Sequence, residues 1–165
     1  MAKNKEEKTN VMRVLEQKKI AYTAHTYPHE EGMAVDGVTV AKSMGFDPAI
    51  VFKTLVARGA SKQYYVFDVP VAENLDLKKA AKAVGEKSIE MIHQKELLPL
   101  TGYVHGGCSP VGMKKLFPTV FHETAEYLET MIVSAGKIGY QVELAPRDLA
   151  ALVRAEFADI NVECG

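Results

Sequence analysis

The spacing of apolar residues changes repeatedly along the chain and predicts an alternation of helices and strands. Apolar residues recur at helical spacing in segments that begin near residues 10, 36, 77 and 146. The second and third segments are followed by Gly45 and Gly85, which are typical helix ends. Residues 94–98 predict a short helical turn before Pro99. The last helix is expected to bury Leu149, Leu152, Val153, Phe157 and Ile160.

Between these segments, β-branched and aromatic runs bounded by turn residues predict strands. They cover residues 21–27, 51–56, 63–69, 89–92, 119–122, 130–134 and 139–144. Strands outnumber helices and several are joined by short turns, so a mixed or antiparallel sheet is favoured over a doubly wound one. The 165 residues contain no repeat or linker, and they suffice for one core without disulfides or metals. We expect one α+β domain over residues 1–165, with residues 1–8 as a mobile tail.

A lysine interrupts the most apolar of these strands. Val51, Lys53 and Leu55 share one strand face, because side chains alternate along a strand. An ammonium between apolar neighbours is costly unless it reaches water or meets an anion. Lys53 is therefore either a surface-reaching strand lysine or a functional cation.

A glycine-rich loop is the second candidate feature. Residues 106–112 read Gly-Gly-Cys-Ser-Pro-Val-Gly. The N–H groups of Gly106, Gly107 and Ser109 could hold the oxygen of a polarised carbonyl, although glycine pairs also occur in plain turns. The loop lacks the Gly-Lys-Ser/Thr ending of a P-loop. It is not a nucleophile elbow either, because Ser109 is not flanked by glycines on both sides.

Cys108 and the histidines raise two further possibilities. Cys108 could be a thiol nucleophile with His105 as its base, but three residues along a loop fix no geometry, and we interpret Cys108 as a packing residue. The five histidines show no His-x-x-x-His spacing and no nearby set of carboxylates. We expect no metal site and no cofactor.

Charge and composition limit the kinds of partner that this protein is expected to bind. A net charge of −1 argues against coating nucleic acid by electrostatics alone. A local cluster of lysines comprises Lys78, Lys79, Lys82 and Lys87. It is either a solvated helix face or a contact surface. The first residues have no apolar signal region, and no apolar run is long enough to span a membrane. We therefore expect a cytoplasmic protein without a membrane partner.

Five motifs in order resemble the YbaK/EbsC group of aminoacyl-tRNA deacylases, whose domain also occurs as the editing insertion of bacterial prolyl-tRNA synthetases. The matching stretches are residues 25–27 (HTY), 51–55 (VFKTL), 75–85 (LDLKKAAKAVG), 101–112 (TGYVHGGCSPVG) and 133–137 (VSAGK), with residues 148–149 in the closing helix. The resemblance runs from about residue 11 to residue 160. It implies a twisted, mixed, mostly antiparallel sheet, partly closed like a barrel and flanked by helices.

The resemblance also implies a site. It makes Lys53 the essential side chain, and the N–H groups of the glycine loop add Gly106 and Gly107 as the expected catalytic backbone. The substrate-binding residues that it implies are Tyr27, Thr54, Cys108, Ser109, Pro110, Ser134, Gly136 and Gln141. Two positions depart from the common pattern: Gln141 stands where many of these deacylases carry aspartate, and Asp36 lies where an aromatic residue often precedes a glycine.

The implied activity is trans-editing, the removal of cysteine from mischarged tRNA(Pro). Because the chain is small and its basic residues could reach little beyond the acceptor end, we expect it to cleave cysteinyl-tRNA(Cys) as well. In this group the substrate's own thiol is thought to attack its ester carbonyl, so alanine and proline are spared. The implied partners are the tRNA acceptor end and prolyl-tRNA synthetase, and we expect a monomer or weak dimer. Two alternatives stay open: a water-using deacylase for alanine or serine, and a non-catalytic module that binds tRNA or a nucleotide.

Overall fold

The computed structural model describes residues 8–30 and 32–163, and within them it has the expected α+β composition. The helices are α1 Asn10–Gln17, α2 Gly37–Ser43, α3 Leu77–Val84, α4 Gln94–Thr101 and α5 Pro146–Val153, with 3-10 turns at Pro48–Ile50 and Glu123–Tyr127. The strands are β1 Thr23–Thr26, β2 Phe52–Gly59, β3 Tyr64–Pro70, β4 Ile89–Met91, β5 Thr119–His122, β6 Met131–Ser134, β7 Tyr140–Leu144 and β8 Ala155–Ala158. Apart from Lys8, the expected N-terminal tail lies outside the described residues.

The strands form two open sheets rather than a closed barrel. The larger sheet has the order β4-β2-β3-β5-β8 and the smaller one the order β1-β7-β6. The pairs β3–β5 and β5–β8 are parallel, and the other four pairs are antiparallel. An isolated parallel bridge between Val51 and Ile132 connects the two sheets. The prediction of a mixed, mostly antiparallel sheet is confirmed.

Strand β2 is an interior strand of the larger sheet, and both of its faces carry apolar side chains. Phe52 and Val56 pack into the larger core cluster with α1, α5 and the smaller sheet. Ala57, on the other face, packs in a second cluster with Phe67 of β3 and with α3. Burial on both faces explains why this segment reads as an almost continuous apolar run.

Side-chain caps fix the starts of the helices. The hydroxyl of Thr9 accepts a hydrogen bond of 3.2 Å from the N–H of Met12, so Thr9 caps α1. Asp36 accepts from the N–H of Thr39 at 3.1 Å and caps α2. Gly85 ends α3 with φ +74°, a conformation that glycine adopts without strain.

The prediction of a final helix reaching residue 160 is wrong. Helix α5 ends at Val153, because Arg154 takes a left-handed conformation with φ +59°. The chain then enters β8, where Phe157 lies opposite Phe121 in a parallel pairing with β5. Phe157 and Ile160 still pack against apolar clusters, but from a strand and the segment after it.

Other boundaries also differ from the expected ones, and strand β2 runs to Gly59 rather than ending at residue 56. Helix α4 continues through Pro99 to Thr101, where the hydroxyl of Thr101 donates to the carbonyl of Leu97 at 2.7 Å. Strand β1 begins at Thr23 rather than at residue 21. Within the part of the chain that the structure describes, no helix is long and apolar enough to cross a membrane.

Candidate active site

One cavity of about 350 Å³ lies against the first half of β2. It forms there because β4 pairs only with residues 57–59 and leaves the other end of β2 uncovered. The start of α2, the glycine loop and the facing ends of β6 and β7 complete the wall. Cavities of this size suit a small molecule or one chemical group of a larger ligand.

Lys53 lines this cavity, together with Val51 and Leu55 of the same strand face. Its side chain is half-buried, and burial lowers the pKa of the ammonium. The negative charges of Asp36 and Glu73 partly oppose this lowering. Lys53 is therefore a partly desolvated cation at a cavity, which is a more specific arrangement than a lysine reaching bulk water.

Two residues of the glycine loop at the cavity have backbone N–H groups that are unpaired among the described residues. Gly106 and Cys108 both line it, and no described residue accepts a hydrogen bond from either backbone N–H group. Gly106 adopts φ +89°, and a Cβ atom there would lie 2.6 Å from the Cβ atom of Ala34. This position therefore requires glycine, both for its conformation and for the close approach of Ala34.

Gly107 does not fit the catalytic role expected for it. Its N–H group donates to the carbonyl of Val104 at 3.0 Å, and the residue does not line the cavity. A Cβ atom at Gly107 would lie 3.0 Å from the backbone nitrogen of Ile138 and 3.1 Å from the carbonyl carbon of Lys137. The glycine allows the loop to pack on that backbone segment, so Gly106 and Cys108 are the better pair of donors.

The thiol of Cys108 is a poor nucleophile in this structure. Cys108 is 7% exposed and packs in the larger core cluster. Burial and the charge of Asp68 raise the pKa of the thiol to about 12. Only the thiolate is strongly nucleophilic, and this thiol stays protonated at neutral pH. The interpretation of Cys108 as a packing residue agrees with its burial.

Behind the cavity wall lies a buried carboxyl group that sequence reasoning missed. Thr54 lines the cavity, and its hydroxyl donates a hydrogen bond of 2.5 Å to Oδ1 of Asp68. Asp68 is completely buried, and burial raises its pKa to about 7 against the lowering by the Thr54 hydrogen bond. The available signal was an acidic residue in the apolar run of residues 66–69, the same kind of signal as Lys53.

The smaller sheet contributes polar groups to the opposite part of the lining. Ser134 of β6 and Gln141 of β7 are directly paired across the strands, and both line the cavity. The Oε1 atom of Gln141 is buried and accepts no hydrogen bond from the described residues. Tyr27, just beyond β1, is buried at the cavity, and its N–H group donates to the carbonyl of Gly139 at 2.9 Å.

The remaining expected site residues lie outside the cavity lining, namely Ser109, Pro110 and Gly136. Ser109 is fully buried, and its hydroxyl accepts from the N–H of Val111 at 3.2 Å, which holds the turn after the glycine loop. Gly136 has φ +97° and packs against the ring of Tyr103. A Cβ atom added at Gly136 would lie 3.0 Å from the Cε1 atom of that ring. These residues shape the loops that carry the lining residues. Sequence reasoning did not assign the lining residues Tyr140, Val71 and Leu97 to the site.

One group of possible metal ligands occurs in the described ranges, away from the cavity. His122, Glu123 and Asp159 offer ligand atoms within 4.8 Å of one another. The Asp159 carboxylate is already held by the Lys79 ammonium at 3.1 Å. The sequence did not indicate this group, because Asp159 approaches His122 only through the pairing of β8 with β5.

Fold and site together define a class: an α+β domain with a small cavity lined by a desolvated lysine and unpaired backbone donors. The sequence profile of the aminoacyl-tRNA editing domain matches residues 29–152. The chain belongs to the aminoacyl-tRNA editing domain family.

Similarity to known proteins extends along nearly the whole chain. EbsC of Enterococcus faecalis, a candidate Cys-tRNA(Pro)/Cys-tRNA(Cys) deacylase, is 45% identical over 99% of each chain. The crystal structure of a candidate trans-editing enzyme for prolyl-tRNA synthetase superposes with a TM-score of 0.78 at 25% identity, covering 93% of this chain and 95% of that one. The hypothetical protein APE2540 shares the fold, with a TM-score of 0.81 at 19% identity and coverage of 92% and 99%.

Proposed function

We propose that this protein is an aminoacyl-tRNA deacylase that removes cysteine from mischarged tRNA(Pro) and from tRNA(Cys). The observation that carries the proposal is the meeting of Lys53 with the unpaired N–H groups of Gly106 and Cys108 at one cavity. Membership of the editing family and the name of the 45% identical relative support the substrate class.

The two N–H groups suit the oxygen of an ester carbonyl. When the carbonyl carbon is attacked, its oxygen gains negative charge, and fixed donors stabilise that charge without reorganising. A good donor of this kind contributes about 3 kcal/mol to barrier lowering. An aminoacyl ester is an activated bond, so two donors and accurate positioning supply much of the catalysis that the reaction requires.

Lys53 supplies positive charge where the acceptor end of tRNA must enter. Its desolvated ammonium would bind the terminal phosphate or ribose more strongly than an exposed lysine would, because water screens it less. This places the ester bond at the loop while the tRNA body remains outside the cavity. Lys53 is thus proposed as the main positioning and charge-compensating group.

The two side chains of the glycine loop that could act as nucleophiles are unsuited to attack the ester. The Cys108 thiol is protonated, and Ser109 is fully buried outside the lining. In the proposed step the substrate's cysteine sulfur attacks its own carbonyl carbon. The sulfur–carbon bond forms, the carbon–ribose oxygen bond breaks, and the ribose oxygen leaves with the electron pair. The cyclic thioester that forms is then opened by water.

A second candidate function rests on Gln141. Its buried, unpaired Oε1 atom could accept a hydrogen bond from the hydroxyl of a seryl group. In that case water would attack the ester, held by the same loop. Prolyl-tRNA synthetase is proposed as the partner that brings the tRNA, from the description of the solved trans-editing structure.

The test is the release of labelled amino acid from cysteinyl-, seryl- and alanyl-tRNA(Pro) by the purified protein. We expect rapid release of cysteine, which Lys53→Ala reduces by 100-fold or more (about 3 kcal/mol of transition-state stabilisation) without a change in melting temperature. Lys62→Ala, in the turn at the far end of β2, is the matched control and should be fully active. No release from any of the three tRNAs would favour a non-catalytic binding module.

A further inference from the structure

We propose that Asp68 is a positioning residue that acts through Thr54, and that this pair takes up the proton released by the attacking group. The inference rests on the proposed deacylase function and extends it to a residue that does not touch the substrate. It concerns how the nucleophile is activated, which the lysine and the glycine loop leave unexplained.

The register of β2 and β3 in the larger sheet brings Thr54 and Asp68 together. Thr54 of β2 and Asp68 of β3 lie directly opposite each other, so their side chains share one face of the sheet. The Thr54 hydroxyl donates to Oδ1 of Asp68 at 2.5 Å. Thr54 also lines the cavity, whereas Asp68 is completely buried behind it. The hydroxyl is thus the link between the cavity and the carboxyl group.

One oxygen of the Asp68 carboxyl group lacks, among the described residues, the hydrogen bond that a buried structural carboxyl group normally makes. Its Oδ2 atom is buried and has no hydrogen-bond partner in residues 8–30 or 32–163. An unpaired buried polar atom costs on the order of 1–3 kcal/mol, so a purely structural site would normally satisfy it or be apolar. Such unsatisfied groups often coincide with functional sites.

The surroundings of Asp68 contain few titratable groups. From β2 comes the uncharged Thr54, while Lys53 lies on the opposite strand face. From β5 the neighbour in register is Phe121, and from the glycine loop comes the protonated thiol of Cys108. No cation near Asp68 contributes to its titration within the described part of the chain. Burial is therefore the dominant influence, and it raises the pKa of Asp68 to about 7.

A carboxyl group that titrates near neutral pH is suited to general base work. In the ionised state the Asp68 carboxylate accepts a hydrogen bond from the Thr54 hydroxyl, so the lone pairs of the Thr54 oxygen are free to accept from another donor. When the substrate thiol attacks, its proton passes to the Thr54 oxygen while Thr54 passes its own proton to Asp68. The departing ribose oxygen takes a proton from water, and Asp68 later gives its proton to the hydroxide that remains, so the protons balance.

The test is the pH dependence of the single-turnover rate on cysteinyl-tRNA(Pro), from about pH 5.5 to about pH 8.5. We expect the wild-type rate to rise through an inflection near pH 7. Thr54→Val should remove the inflection and lower the rate by about 100-fold at neutral pH, the lower range for general base catalysis. Thr54→Ser, which keeps the hydroxyl, should restore both.

A matched control exists outside the cavity. Thr130 donates to a carboxylate oxygen of Glu143 at the same distance of 2.5 Å, and neither residue lines the cavity. Thr130→Val should therefore leave the profile unchanged. Asp68→Asn is the direct variant and should resemble Thr54→Val; if it does not fold, the comparison of valine and serine at position 54 decides.

The outcomes separate this inference from the proposed function. Wild-type protein that releases no amino acid would defeat the deacylase proposal and this inference with it. Active wild-type protein with the same inflection in Thr54→Val and Asp68→Asn would overturn the inference alone. A uniform fall in rate with an unchanged inflection would also overturn it, since that is the result expected of a structural residue.

Discussion

Lys53 and Asp36 line one cavity, where burial lowers the pKa of the Lys53 ammonium and the charge of Asp36 partly restores it. Asp36 also caps α2 by accepting from the N–H of Thr39 at 3.1 Å. One carboxylate thus ties the start of a helix to the charge of the proposed catalytic lysine. This relationship gives the departure from the common family pattern at position 36 a physical role.

The first prediction concerns this pair. Asp36→Asn should keep α2 intact, because asparagine caps helices as well as aspartate does. It should lower the Lys53 pKa further, so the alkaline fall in deacylation rate should move to lower pH. The measurement is the pH dependence of the rate, with Asp47→Asn as control, because Asp47 caps a 3-10 turn outside the cavity. An unmoved alkaline limb would show that Asp36 does not tune Lys53.

The second prediction concerns Gly106. Both Gly106 and Gly102 have φ +89°, but an added Cβ atom meets the Ala34 Cβ atom at 2.6 Å in the first case and only the flexible Lys114 side chain, at 3.4 Å, in the second. Gly102→Ala should therefore cost only the conformational strain, about 1–2 kcal/mol. Gly106→Ala should cost more stability and most of the activity. Urea denaturation and deacylation rates measure the two effects, and equal losses in the two variants would remove the close-approach argument.

The third prediction tests the rival nucleophile. Cys108→Ser should retain a near-normal deacylation rate, because the thiol stays protonated and does not react. Burying a hydroxyl there should cost roughly 1–2 kcal/mol of stability. Rates and melting temperatures should be compared in the same preparation. A loss of several orders of magnitude in a folded variant would indicate covalent catalysis by Cys108.

The fourth prediction follows from the titration of Asp68. Its pKa rises from 3.8 to about 7 on folding, so the folded state holds the proton more tightly. The associated stability is fully present below pH 3.8 and is lost as pH rises through about 7. Between about pH 5 and about pH 8, wild type should lose roughly 2–3 kcal/mol more of its unfolding free energy than Asp68→Asn does. Equal pH dependence in urea denaturation would contradict the buried titration.

Sequence reasoning found the cavity through charge, since Lys53 stands out in an apolar strand. The same reasoning would have singled out Asp68, which also interrupts an apolar strand. Its contact with Thr54 could not be predicted in this way, because it depends on the register of β2 and β3. The hydrogen-bond directions in the glycine loop depend on local backbone angles, and this is why Gly107 was expected to face the ligand when its N–H group donates to Val104.

The error after Val153 has a different origin. Apolar residues at positions 153, 157 and 160 fit a helical period. Strand β8 has only four residues, and the apolar pattern of so short a segment does not distinguish a strand from a helix. The parallel pairing of β8 with β5 is a long-range contact that no local pattern encodes. Tertiary pairing therefore overrode the helical spacing.

The central claim is that a thiol on the substrate, rather than a group on the protein, attacks the ester. Cysteinyl- and seryl-tRNA(Pro) differ by one atom, sulfur against oxygen, and pocket contacts alone separate such similar groups by only about 1–3 kcal/mol. The most direct test is the ratio of their single-turnover deacylation rates at one pH. The account predicts a ratio well above about 200-fold, the upper end of pocket discrimination. Comparable rates on the two substrates would contradict thiol attack and leave a deacylase that uses water.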